Sequence, residues 1–562
     1  MSNSTKKSIL LAVLLGIFIQ QSFSQYFFKS YDFAPFSTRT EIGYSLEKTT
    51  TGPIIGGGWS IAGVSNTTPS AGDYDWLFMK LNSTGAVTCK TLLGYPLGDS
   101  AFTHVQLSNG RTVIAGFYRA PNGYEKASWS MLDTSCTHLM SRQITDSLQH
   151  QYRGITKNAT DIFTLAGFTN SFMPGMGYLN QIIAAQYSPA GALIWAYRYM
   201  NTLPGIHERA FSICYQSTDN TYAITGITNR FTGPAGPYQA FILKVTAAGI
   251  PVWFNVYAPM PGLNAEGRKI IAMPDGGFVV SGYSNAFDLA ANDYLVFRTT
   301  STGALAWLNT YGTPGTREES YSIVYQPSDM SLVFTGHRGL PGLTDDVIIS
   351  KITAIAGAPV WTKVFPNTAG NDRGYDIETT TASDGYGVTG QFFHASSIGL
   401  DPFLMRTNIF GNVTPTCQDS IMLQARPGNY IQPDQKQPMQ LFDVQIQPVV
   451  NYPVHVERIQ CAPTTGINGN INQIPDEFSL SQNYPNPFNP STKISYSIKT
   501  TGFVKLNIYN SAGELTAQLV NNKQEQGNYE VTFNAANLSS GIYFYTLETE
   551  GFTATKKMVL VK

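Results

Sequence analysis

Charge is scarce in this sequence. Asp, Glu, Lys and Arg make up 13% of its 562 residues, and the formal net charge is −1. That excludes the electrostatic footprint of a nucleic-acid binder, and no block of Lys or Arg points to an anionic membrane surface. Five cysteines are too few to staple a chain of this length, and none stands in CxxC spacing. Helical periodicity is missing over any useful length. Beyond the first two dozen residues, no apolar run reaches the roughly 20 residues that a spanning helix needs. The histidines (His104, His138, His150, His207, His337, His394 and His455) show no HExxH or other metal-ligand spacing. There is no Gly-x-Ser-x-Gly elbow, phosphate loop or EF-hand loop, so the sequence calls for no metal and no cofactor.

What is present begins with an export signal. Lys6 and Lys7 form a charged n-region and Ile9 to Ile19 an apolar h-region. Ser22 and Ser24 are the small residues for cleavage before Gln25. Residues 1–24 are therefore expected to be a signal peptide, the alternative of a membrane anchor being disfavoured by the short apolar run. No cysteine follows the h-region, which argues against a lipoprotein. Of the cysteines, Cys417 and Cys461 bracket one segment and are the candidate disulfide. Cys89, Cys136 and Cys214 are expected to be buried or unpaired.

With 51 glycines, 31 prolines and 31 tyrosines, the composition suits short strands joined by tight turns. One segment recurs, an apolar stretch ending in glycine, as in Trp59-Ser60-Ile61-Ala62-Gly63 and Phe278-Val279-Val280-Ser281-Gly282. The same glycine returns at Gly116, Gly167, Gly226, Gly336 and Gly390, which makes seven copies about 54 residues apart. Within each copy an acidic residue precedes a first strand, and a turn such as Pro274-Asp275-Gly276-Gly277 leads into the glycine-ended second strand. A third strand such as Tyr294-Leu295-Val296-Phe297-Arg298 follows. A fourth opens with Gly-x-x-x-Trp spacing at Gly191/Trp195, Gly249/Trp253, Gly303/Trp307 and Gly357/Trp361. Four strands repeated seven times predict an all-β, seven-bladed β-propeller, whose blades bury their faces only by packing on one another.

A ring of blades must close. Tyr26-Phe27-Phe28-Lys29-Ser30-Tyr31 reads like a displaced fourth strand when set beside Ala306-Trp307-Leu308-Asn309-Thr310-Tyr311, and the seventh copy weakens at that place. The N-terminal strand is therefore expected to complete the last blade, giving a propeller over residues 25–417. Residues 418–475 read as a β-rich extension and linker, with strand-like runs at Gln440 to Val449 and Val454 to Ile459 that the repeat does not place. The repeats resemble the uncharacterised propeller repeats of secreted Bacteroidetes and Ignavibacteria proteins, a resemblance that implies the fold and no activity. The Gly-x-x-x-Trp spacing also resembles that of quinone-dependent dehydrogenase propellers, but only in architecture, and seven copies rather than eight count against it. The tryptophans are expected to pack blade on blade.

The last stretch carries the most specific motif. Phe478-Ser479-Leu480-Ser481-Gln482-Asn483-Tyr484-Pro485-Asn486-Pro487-Phe488-Asn489-Pro490 strongly resembles the opening of the type A sorting domain of the type IX secretion system. Gly513, Leu538-Ser539-Ser540-Gly541-Ile542-Tyr543-Phe544 and the closing Lys556-Lys557-Met558-Val559-Leu560-Val561-Lys562 match its later landmarks. Asn483, Tyr484, Pro485, Asn486, Pro487, Gly541, Lys556 and Lys557 carry the likeness. Independently, alternating strands separated by Gly, Asn and Ser turns predict a small Ig-like β-sandwich over residues 476–562. The resemblance implies recognition by the outer-membrane translocon, removal of the domain by a sortase, and frequent attachment of the released part to surface lipopolysaccharide. It implies a protein that is secreted or displayed on the outer cell surface.

Chemistry is harder to find. Acidic residues recur before the first strand of the copies, at Glu41, Asp99, Glu208, Glu266, Glu318 and Asp372, with His150 near the equivalent place in copy three. A second set recurs at Asp75, Asp293, Asp346 and Asp401. Recurrence favours carboxylates that accept backbone N–H groups at turns or from a neighbouring blade. Departures from the repeat are more informative: His207-Glu208-Arg209, Glu266-Gly267-Arg268 and Asp372-Arg373 add arginines, and copy three adds Arg153. Glu208, Arg209, Glu266, Arg268, Glu318, Asp372 and Arg373 are the candidate channel-mouth binding residues, able to clamp an anionic ligand such as an acidic sugar or to form inter-blade ion pairs. No catalytic residue is assigned. The sequence thus favours a noncatalytic binding protein for a glycan or protein ligand. The alternatives are a polysaccharide- or peptide-degrading enzyme with acids at the channel mouth, and a structural envelope component.

Overall fold

In a computed structural model, the chain forms two compact units, residues 1–462 and 463–562. The structure describes residues 26–32, then 40–413 apart from short loop segments (the longest 50–57 and 67–73). It further describes short strands between 418 and 459, and 478–561 apart from 484–485 and 525–526. The expected signal peptide and the candidate pair Cys417 and Cys461 lie outside the described residues. No described residue is helical, so among the described residues no helix is long and apolar enough to cross a membrane.

The first unit is a seven-bladed β-propeller. Its innermost strands are Glu41–Thr49, Ser100–Gln106, Gln149–Lys157, Glu208–Gln216, Ala265–Ala272, Arg317–Gln326 and Arg373–Thr379, for blades 1 to 7 in chain order. Each meets the next, and the seventh returns to the first. Each blade is an antiparallel meander outward from that strand. The apolar clusters run between blades: Ile182 and Ala184 of blade 3 pack with Ile213, Tyr222 and Ile224 of blade 4, each fully buried aliphatic or aromatic side chain contributing about 1.5–3 kcal/mol.

Blade 7 supplies only three strands from its own copy, and Phe27–Asp32 completes it by pairing antiparallel with Gly399–Asn408, Phe28 opposite Met405. The closing strand repeats the contacts of an ordinary fourth strand. Tyr199, Tyr257 and Tyr311 each donate a hydroxyl hydrogen bond to the turn glycine of the next blade, Gly249, Gly303 and Gly357. Tyr31 does the same to Gly85 of blade 1 at 2.6 Å. The Gly-x-x-x-Trp spacing has the same origin. Each turn glycine lies against the Trp of the preceding blade, Gly303 on Trp253 and Gly357 on Trp307, and Phe27 takes the place of that Trp against Gly85. Gly303 also needs a left-handed φ of 83°, which glycine adopts without steric cost.

The extension after blade 7 is part of the propeller. Its short strands add a fifth, outermost strand to one blade after another: Asp419–Ile421 to blade 6, Gln424–Pro427 to blade 5, Ile431–Gln432 to blade 4 and Gln437–Pro438 to blade 3. Pro448–Val449 then pairs with blade 1, and Val456–Ile459 covers the closing strand itself, Lys29 opposite Ile459. The chain therefore winds back around the rim against the blade order. Blade 2 alone has no fifth strand among the described residues. Blade 2 is instead tied to blade 1 by a disulfide between Cys89 and Cys136, 47 residues apart. The two were expected to be buried or unpaired; Cys136 is buried, but the pair is bonded, because the two stand on neighbouring blades and only radial packing brings them together. Cys214 is a buried free thiol.

The second unit is a β-sandwich. A three-stranded sheet, Ser479–Leu480, Ser491–Ile498 and Gly527–Asn534, faces a four-stranded sheet of Leu515–Gln524, Gly502–Asn510, Gly541–Thr549 and Phe552–Leu560. Alternation puts Ile494, Tyr496 and Ile498 from one sheet and Val504, Leu506, Ile508, Tyr545 and Leu547 from the other into a single core.

Candidate functional site

The recurring glycine explains what faces the channel. In all seven inner strands one extra residue breaks the register with the second strand, a β-bulge. Opposite it stands the glycine that ends each apolar stretch. A Cβ built on Gly63, Gly116, Gly167, Gly226, Gly282, Gly336 or Gly390 would lie 1.7–1.9 Å from an inner-strand carbonyl oxygen. No side chain fits there, so the glycine permits the bulge, and the bulge turns its extra residue out of the pleat.

The seven bulged residues are Tyr44, Phe102, Arg153, Phe211, Arg268, Tyr321 and Tyr375. All are half-buried and all line one cavity of about 290 Å³ on the propeller axis. The ring is uneven. On one side Phe102, Tyr44, Tyr375 and Tyr321 form an aromatic arc, with ring centroids 5.5, 5.1 and 5.0 Å apart in succession. On the other, Arg153 and Arg268 flank Phe211. The Arg153 guanidinium lies 3.6 Å from the centroid of Phe102 and that of Arg268 4.5 Å from Phe211, a cation–π geometry.

The two arginines differ electrically. Arg268 is ion-paired with Glu266 at 2.6 Å and donates to the Tyr283 hydroxyl at 2.6 Å. Burial works against its charge, but the Glu266 carboxylate outweighs it and holds the guanidinium above its ordinary value. Arg153 donates its Nε to Gln151 at 2.8 Å and has no carboxylate partner among the described residues. Burial, with Arg268 and Arg209 nearby, lowers it to about 10. Arg209 stands over Phe168 at 5.3 Å, a ring that Arg153 also approaches at 5.9 Å.

Deeper in the channel, Lys269 and Asp376 pair at 3.1 Å between blades 5 and 7. Asp376 also accepts hydrogen bonds from Ser322 and the Leu46 N–H. Next along the inner strands of blades 1 and 7 come Glu47 and Glu378. Burial and the neighbouring carboxylates raise both well above the usual carboxylate range. Carboxyl groups so placed hold a proton near neutral pH. His104 is held neutral by burial and by Lys269, its ring lowered to about 3, and bonds Ser60 and Ser45 through its two nitrogens.

The acids singled out by recurrence sit elsewhere. Glu208 is fully buried against Arg230 at 2.9 Å. Glu318 is fully buried, accepting from the Thr313 N–H and from Arg338 Nε at 3.2 Å. Asp372 accepts the Phe393 N–H at 2.8 Å and Asp99 the Arg119 N–H at 2.7 Å, while Glu41 takes the Ser65 hydroxyl. Arg373 is bound to Asp345 through two nitrogens. Asp293 meets Arg426 of the rim segment at 2.9 Å. Of the seven candidate channel-mouth residues, Arg268 alone lines the cavity, with Glu266 behind it. The aromatic arc, Arg153 and Phe211 complete the ring. A sequence signal for it exists: a small residue directly precedes the bulky one at Gly43-Tyr44, Ala101-Phe102, Ala210-Phe211, Gly267-Arg268, Ser320-Tyr321 and Gly374-Tyr375.

In the sandwich, the motif residues knit its opening segment to its last strand. The buried Asn483 donates its N–H to the Tyr545 hydroxyl at 2.7 Å and its side-chain amide to Thr492 at 3.0 Å. Asn486 accepts the Val559 N–H at 2.8 Å and is followed by a cis bond to Pro487. Gly541 opens a strand in an exposed position, Lys557 is exposed on the last strand and Lys556 half-exposed. Tyr484 and Pro485 lie outside the described residues.

Residues 482–562 match the family described as the secretion system C-terminal sorting domain. No curated protein matches the chain. Among solved structures the chain is similar to PorZ, described as an essential bacterial surface component of the type-IX secretion system of Porphyromonas gingivalis. The identity is 11% and the TM-score 0.35, over 91% of this chain and 75% of that one. It is also similar to the polysaccharide lyase Uly1, at 10% identity and a TM-score of 0.41 over 67% of this chain and 91% of that one. A glucose dehydrogenase is similar at 9% identity and a TM-score of 0.33, over 66% of this chain and 99% of that one. At these scores none of the three carries a statement about activity. The chain is an all-β protein sorted by the type IX secretion system through residues 482–562, and it is delivered to the cell surface or secreted.

Proposed function

We propose that the protein is a noncatalytic binding protein of the outer cell surface or its surroundings, and that its ligand enters the propeller channel at the ring of bulged residues. One observation carries this reading. Seven positions that share one backbone device present different side chains, an aromatic arc and a cationic arc, to one cavity. Architecture alone asks for the bulge and its glycine; it does not ask for arginine on one side and tyrosine on the other. A cavity of about 290 Å³ stands at the small end of ligand pockets, which suits the tip of a glycan or peptide rather than a folded partner. Glycan-array binding by the full chain and by Phe211→Ala tests this. The reading predicts a hit that the variant loses while its melting temperature holds; a hit kept in full by Phe211→Ala would contradict it.

A second reading is a polysaccharide-degrading enzyme, favoured by Glu47 and Glu378. Carboxylic acids with raised pKa values within a channel are what proton donation to a leaving group requires. It predicts polymer turnover abolished by Glu47→Gln or Glu378→Gln, whereas the binding reading predicts no turnover at all. Absence of both binding and turnover would leave a structural envelope role. Handling by the translocon and a sortase follows from the sorting domain as a proposal of its own. Deleting residues 476–562 is expected to strand the propeller in the periplasm, and normal surface delivery without them would overturn it.

A further inference from the structure

We infer that the cationic arc is a carboxylate site and that the ligand is an acidic saccharide, a uronate held by Arg153 with its sugar ring against the aromatic arc. This rests on the channel being the binding site. Arg153 brings a guanidinium to the cavity with its two terminal nitrogens making no hydrogen bond to any described residue. Burial and the Arg268 and Arg209 guanidiniums make its charge harder to hold, while Tyr44 and Glu125 favour it. The Glu266 carboxylate is taken by Arg268, and Glu125 reaches Arg153 only through Gln151. A planar carboxylate matches the open fork of the Arg153 guanidinium through two parallel hydrogen bonds. The stack on Phe102 at 3.6 Å fixes the plane of that fork, so little orientation is lost on binding.

The other half of the ligand is read from the other half of the ring. Tyr44 sits between Phe102 and Tyr375, and its hydroxyl makes no hydrogen bond to any described residue. An aromatic surface edged by a free hydroxyl suits a pyranose, whose C–H face packs on rings while its hydroxyls pair at the edge. An acidic peptide would satisfy the arginine but brings flexible side chains and backbone N–H groups, for which the aromatic arc offers few acceptors.

The probes are digalacturonate, its methyl ester, neutral galactobiose and a tetraglutamate peptide, titrated calorimetrically into the full chain, Arg153→Gln, Arg153→Lys and Phe211→Ala. Digalacturonate is expected to bind at least tenfold more tightly than the ester or galactobiose, and to weaken as salt rises. Arg153→Gln should lose tenfold or more with an unchanged melting temperature, and Arg153→Lys should fall between. Galactobiose bound as well as digalacturonate, unaffected by Arg153→Gln but lost in Phe211→Ala, would overturn the acidic class and leave the channel reading standing. Equal affinity for tetraglutamate would overturn the saccharide class. Digalacturonate binding that survives every variant would overturn both the inference and the channel reading, and no binding of any probe would overturn the inference.

Discussion

Across each bulge stand two residues, the glycine of the second strand and the extra residue of the inner strand. Gly63, Gly116, Gly167, Gly226, Gly282, Gly336 and Gly390 are alike in every blade because a carbonyl oxygen occupies the space of their Cβ. Tyr44, Phe102, Arg153, Phe211, Arg268, Tyr321 and Tyr375, which they face, are not alike. The same backbone event thus fixes one side and frees the other. Positions that repeat are spent on building blades, as are the buried acids Glu208 and Glu318 with Arg230 and Arg338. Positions that the repeat frees are where, in the proposed reading, a ligand is told from its competitors.

The most severe way to break the framework is to remove the strand that closes it. Deleting residues 25–34 is expected to abolish the single cooperative unfolding transition of the propeller. A thermal melt as sharp and as high as that of the intact chain would show that closure lies elsewhere. Gly282→Ala comes next. Its Cβ would lie 1.7 Å from the Glu266 carbonyl oxygen, so the strand pair must shift, costing about 3 kcal/mol or more in denaturant unfolding. Phe211→Ala, two strands and one blade away on the ring, is expected to cost far less. Equal costs would erase the distinction between framework and ring. Replacing both Cys89 and Cys136 by serine should cost about 2–4 kcal/mol, read as the drop in midpoint against wild type under oxidising conditions.

A smaller effect follows pH. Burial raises Asp372 to about 8 in the folded chain, above its value of about 3.9 when unfolded. Between those values the folded state holds a proton that the unfolded state has lost. Stability from this group is therefore full below about pH 4 and is lost as pH rises towards 8, by up to about 1.4 kcal/mol per pH unit. Asp372→Asn has no such proton, so its stability relative to wild type should rise from pH 5 to pH 8. A difference independent of pH would contradict the burial.

Much of this framework is legible in the sequence because its causes are local and repeated. The glycine spacing marks seven bulges, Gly-x-x-x-Trp marks blade-to-turn packing, and the Phe27 and Tyr31 positions of the N-terminal strand reproduce Trp307 and Tyr311 closely enough to reveal closure. The rim segment is not legible as a fifth strand on six blades. Pieces as short as Ile431–Gln432 and Gln437–Pro438 carry no period and take their shape from the blade edges they pair with. The Cys89–Cys136 bond is hidden for a related reason, since blade-on-blade packing and not spacing brings the two sulfurs together. The ring was half visible. Arg153 and Arg268 stand out as departures from the repeat, but Tyr44, Phe102 and Phe211 pass for core aromatics, because an extra residue shifts the two-residue period and hides which way each side chain faces.

A crystal structure of the full chain with bound digalacturonate shows whether the ring of bulged residues holds the sugar. The expected result is the sugar inside the ring, its carboxylate on the terminal nitrogens of Arg153 and its ring against Tyr44. Sugar held on the outer rim or in the loops between blades, with the channel unchanged, would contradict it.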